Sequence, residues 1–165
     1  IRFQVALGVR GLFLQATTSC HGNEFDELRN YLLSNLLWDP SRDGEQLMRE
    51  WLDLHYGPAS PPITRWINRL HDRSVASGKH CRCLGGRYED YGLNQTDIDA
   101  GLAAIEEALA LAAGDETIRT RVEKASVWTH RAAIGPAWKV KEGETLDNDV
   151  ALQQRPLVSL SLIHI

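Results

Sequence analysis

Four polar residues in one short stretch, Gln15, Thr17, Ser19 and His21, place an amide, two hydroxyls and an imidazole directly behind an apolar run. Such groups hydrogen-bond the hydroxyls of a polar ligand when a strand delivers its C-terminal loop to a pocket; an ordinary solvated loop has the same composition. Three acids, Glu24, Asp26 and Glu27, come next. One of them within reach of that loop could act as an acid or base, yet a place at the start of a helical pattern already accounts for them, because carboxylates are stabilised at a helix's positive end. Glu106 and Glu107 are adjacent, so on a helix they point about 100° apart and belong to a solvated face rather than to an acid–base pair.

Two further groupings have chemical potential. His80, Cys81 and Cys83, together with Cys20 and His21, hold enough soft ligands for zinc if the two segments meet. Cys-x-Cys is not the two-residue knuckle spacing and the second pair is remote, so no metal is expected. No nucleophile elbow, phosphate loop or dinucleotide fingerprint occurs, and no cofactor is expected. Trp38 and Tyr56 offer flat apolar faces to a ring-shaped ligand, but aromatics at helix ends more often anchor packing, so both are expected in the core.

The elements that must position these residues follow from periodicity. Ile1 to Ala6 reads as the tail of a helix, and the glycine-bounded run from Gly8 to Gln15 as a buried strand of the parallel type. Phe25, Leu28, Tyr31, Leu32 and Leu36 recur at helical steps, with Asn23 as the expected cap. Helix, strand, loop, helix is the order of an α/β unit. Beyond Asp39-Pro40 the pattern is helical: Leu47, Met48, Trp51, Leu52 and Tyr56 mark one helix ending at Gly57-Pro58, and Ser60 is the expected cap of the next, with Ile63, Trp66, Ile67 and Leu70 as its stripe. Ser77 to Asn94 reads as an irregular connection with room for a short strand. Thr96 is the expected cap of an alanine-rich helix to Ala113, and a further helix from about Glu116 to Ala133 should pack on it as an antiparallel hairpin.

Bulk properties narrow the function classes. The chain has 165 residues, 43% hydrophobic and 24% charged, a globular composition with length enough for one sizeable core. A net charge of -4 supplies no basic field for a phosphate backbone, so nucleic acid is not an expected partner. The apolar stretch from Leu102 to Ala113 is interrupted by Glu106 and Glu107 and is shorter than the roughly 20 residues a bilayer requires, so no membrane role is expected. Three cysteines make no disulfide framework and leave the compartment open. Both ends read as cut: Ile1 is no initiator, and Leu160 to Ile165 matches a translated sequencing-adapter end and is set aside as a scar.

The run Gly8 to Gln15, followed by Glu24 to Arg29, Tyr31-Leu32-Leu33, Leu36 to Pro40 and Tyr56-Gly57-Pro58-Ala59, resembles the domain-of-unknown-function family 4838. The likeness extends through Leu70-His71-Asp72 and, more weakly, into the alanine-rich hairpin. One departure is Leu14, where relatives carry Glu. The family's members are large bacterial proteins with a glycoside-hydrolase-like barrel, similar in layout to alpha-glucuronidases. The resemblance therefore implies a mainly α chain, with residues 1–40 as the last β/α unit of a truncated TIM-type barrel and residues 41–140 as a C-terminal helical domain; by their own pattern 141–159 read as an irregular tail and 160–165 as the scar. It places Gln15, Thr17, Ser19 and His21 on the sugar-facing side. Glycoside hydrolysis needs two carboxylates roughly 5 to 9.5 Å apart, and that pair is expected outside this chain. The expected function is thus part of a carbohydrate-active protein, inactive alone, whose carbohydrate partner is met through the parent, itself secreted or periplasmic. The rival expectation is a non-catalytic interaction module that forms a homodimer through its helical domain.

Overall fold

The computed structural model describes residues 1–14, 25–79 and 91–134. Six α-helices make up the described architecture: α1 (Arg2–Ala6), α2 (Asp26–Trp38), α3 (Gly44–Tyr56), α4 (Ser60–Ser77), α5 (Gln95–Leu111) and α6 (Glu116–Ile134), with a 3-10 turn over Gly57–Ala59 between α3 and α4. The chain is mainly α, and no strand occurs among the described residues.

Helices α3, α5 and α6 each begin at a side-chain cap. Asp43 accepts hydrogen bonds from the backbone N–H groups of Glu45 (2.9 Å) and Gln46 (3.3 Å) and starts α3. Asp115 does the same for Thr117 and Ile118 at α6. The start of α5 differs from the expected Thr96. Asn94 is the cap, its Oδ1 accepting from the Asp97 N–H while the Asp97 carboxylate accepts from the Asn94 N–H, a reciprocal box that satisfies two orphan donors. Ser60 is likewise not a cap. The 3-10 turn runs straight into α4, the Ser60 N–H bonds to the Gly57 carbonyl, and the hydroxyl is free to donate to Asp53 at 2.7 Å.

The core lies between α3, α4, α5 and α6. Leu52, Tyr56, Ile63, Ile105, Ala108 and Val122 form one buried cluster, and Trp66, Leu70, Leu93, Ile98 and Ala133 a second. Phe25 packs against both while holding a left-handed backbone (φ 48°), a conformation a bulky residue adopts only where packing over-determines it. The expected α5–α6 hairpin is present, joined through a turn at Ala112 to Asp115.

The N-terminal part contradicts expectation. The strand predicted from Gly8 to Gln15 does not form over Gly8 to Leu14, and Gln15 lies outside the described residues. A strand exists only as part of a ladder, and among the described residues no backbone hydrogen bond joins residues 10–14 to another segment. Val9, Leu12, Phe13 and Leu14 face solvent instead, Phe13 at 88% exposure. Helix α1 is tied to the bundle through Arg2, whose guanidinium donates to the carbonyls of Pro40, Ser41 and Arg42.

Candidate functional site: a guanidinium-lined groove on the bundle

On α4, Arg65, Arg69 and Arg73 recur every four residues and so share one face, which borders the stripe of buried Ile63, Trp66 and Leu70. With Asn68 and Asp72 they line an open groove of about 420 Å³. The arginines are held in place by acids of α5. Arg69 donates from Nε to Asp97 Oδ1 at 2.8 Å, and Arg73 Nε lies 2.9 Å from the same oxygen. Arg65 meets Glu107 at 2.5 Å in an exposed pair.

Asp97 is the fixed point of this arrangement. Its side chain is fully buried, and burial by itself raises a carboxyl's pKa. Hydrogen bonds from Arg73, the Asn94 N–H and Arg69 together outweigh that effect and hold the group below the usual carboxylate value. An ionised carboxylate thus sits under two guanidiniums, while Glu107 pairs with Arg65 and Asp72 stands in the groove beside them, so three guanidiniums face three carboxylates. Each guanidinium has five N–H donors, and most of those of Arg69 and Arg73 are not directed at Asp97. Arg65, Arg69 and Arg73 were not singled out by residue type, since arginines on an amphipathic helix read as its wet side; their constant four-residue spacing was the available signal.

A second cluster joins α2, α3 and α6. The rings of Trp51 and His55 stack with centroids 4.1 Å apart, and Tyr56 meets both edge-on. Glu27 pairs with Lys124, and Arg121 donates to the His55 carbonyl. Burial, then the Arg121 charge, hold the His55 imidazole below its ordinary value, with Glu27 acting in opposition. Burial pushes the Tyr56 hydroxyl up, so it stays neutral.

The predicted site residues fare differently. Gln15, Thr17, Ser19 and His21 lie outside the described residues, as do Glu24 and the Cys20-His21 and His80 to Cys83 segments. Asp26 and Glu27 form ion pairs with Arg29 and Lys124 at the start of α2. Glu106 and Glu107 are exposed, in keeping with a solvated face. Tyr56 is buried as expected, but Trp38 is not: it is 91% exposed. Only Leu28 of α2 is fully buried, so this helix presents a narrow stripe and its last residue projects beyond the bundle.

No curated protein and no solved structure matches the chain. The family match ends within α4 and does not take in Leu70-His71-Asp72 or the alanine-rich hairpin. Over residues 1–68 this chain matches the family described as Domain of unknown function (DUF4838), the family that the series from Gly8 to Ala59 resembles.

Proposed function

We propose that the chain is the C-terminal helical part of a carbohydrate-active, glycoside-hydrolase-like protein and is not catalytically complete by itself. Residues 9–14 become the strand of a last β/α unit when they meet the sheet of the protein's barrel. One observation carries this reading: nine of the twelve large apolar side chains exposed among the described residues fall in 3–14 and 37–38. Three of them are aromatic, Phe3, Phe13 and Trp38, each at least 73% exposed. The described residues of 39–79 and 91–134, in contrast, bury most of their apolar stripes. The outward-facing segment lies within the DUF4838 match, so the resemblance and the packing point to the same attachment region.

The rival reading is a non-catalytic interaction module that dimerises through its helical domain, where Leu54, Val75 and Leu111 stand exposed. It differs in its partner, a second copy in place of a sheet.

Activity assays test the first reading. The purified chain is expected to give no turnover on aryl glycosides or aryl glucuronides. Turnover that is lost on changing an acid of this chain, such as Asp26→Asn or Asp72→Asn, contradicts it.

A further inference from the structure

The arginine groove on α4 has no part in attaching the bundle through residues 3–14 and 37–38. Its features are those of a binding site. Two guanidiniums are immobilised by a buried carboxylate, so little side-chain entropy remains to be lost when they engage a ligand. Their planar forks match oxyanions, which accept paired N–H bonds from arginine. Asp72 and Asn68 share the groove, and an anion lacking hydroxyls would meet the Asp72 carboxylate unfavourably. A ligand with hydroxyls beside its anionic group places the oxyanion on the arginines and donates its O–H groups to Asp72 and Asn68. All five lining residues lie on α4, so the groove is an open trough between side chains rather than an enclosed pocket.

We propose that the groove lined by Arg65, Asn68, Arg69, Asp72 and Arg73 binds a small hydroxylated oxyanion, the class of sugar acids and sugar phosphates. The oxyanion half of this assignment stands on the groove alone, and the choice of a sugar as the hydroxyl carrier rests on the carbohydrate reading above. Arg69 and Arg73 also neutralise Asp97, so their removal would confound binding with folding. Arg65 and Asp72 lie at the surface and serve as the probes.

Calorimetric titration of the whole chain with glucuronate, glucose 6-phosphate, glucose and inorganic phosphate tests the proposal. Thermal unfolding alongside confirms that Arg65→Gln and Asp72→Asn remain folded. At least one charged sugar is expected to bind in the low millimolar range or tighter. Glucose and inorganic phosphate should each bind roughly tenfold more weakly or not at all, and Arg65→Gln and Asp72→Asn should each weaken the charged sugar by about tenfold. No charged-sugar binding up to about 20 mM, roughly tenfold above the expected low-millimolar range, equal binding of glucose or phosphate, or indifference to both substitutions would overturn it. Each such failure leaves the helical-part reading intact, since that reading is decided by the glycosidase assays.

Discussion

At the scale of single residues, Asp97 and His55 make the fold sensitive to acid in separate windows. Asp97 is ionised in the folded state and held below the unfolded carboxylate value of about 3.9, so its contribution is present above that pH and is lost as pH falls through the lower, folded value. His55 works higher on the scale. Its folded form favours the neutral ring, whereas the unfolded chain takes up a proton below about 6.5, so stability declines as pH drops from there toward the folded value. Urea unfolding at pH 5 and pH 7 should show His55→Gln with a smaller acid-induced loss than the parent chain; an unchanged difference contradicts the assignment. Asp97→Ala removes the partner of two guanidiniums and half of a capping box, for a loss of about 3 kcal/mol, moderated because both arginines reach solvent. A loss under about 0.5 kcal/mol would mean that the network is ornamental. None of this was legible in the sequence. Asn94 stands at the edge of a stretch without helical period, and Thr96, one residue from Asp97, is also a cap-forming type.

At the scale of elements, the helices were legible because their apolar stripes keep a helical period, and the α5–α6 hairpin followed from Gly114 between two such stripes. What periodicity does not encode is close approach. Gly101 is buried within the alanine-rich α5, and a β-carbon there would lie 2.6 to 2.8 Å from the indole ring of Trp66 on α4. That ring cannot easily retreat, since its Nε1–H donates to Thr129 of α6 at 3.0 Å. Gly101→Ala, which raises helix propensity, is therefore expected to destabilise by about 1–3 kcal/mol, and the effect should shrink when Trp66→Phe is introduced with it. Additive losses in the double-mutant cycle would contradict the contact. The missing strand has a comparable cause. The glycine-flanked run Gly8 to Leu14 has strand composition, but a ladder needs a second strand, and a run of apolar residues does not say where that partner lies. Trp38 was misjudged for a related reason: aromatic type favours burial on average, whereas its place at the last residue of a helix with a narrow buried stripe leaves it in water.

At the scale of the whole molecule, the described residues divide into a helical body that buries its own core and an N-terminal segment that turns its apolar side chains outward while Arg2 ties α1 to the α2–α3 connection. That division underlies the proposed attachment to a sheet and the separate proposal for the arginine groove. The sugar-facing loop expected at Gln15 to His21 lies outside the described residues, so the candidate site legible in the sequence and the groove on α4 occupy different parts of the chain. Hydrogen–deuterium exchange on the intact chain tests the division most directly, because backbone amides report the bonding that separates the two parts. Amides in the middle of α3 to α6 should be protected by several orders of magnitude, while those of residues 10–14 exchange at the rate of an unstructured peptide. Protection of residues 10–14 equal to that of the helix centres would show a partner for this segment within the chain itself, and would contradict the account.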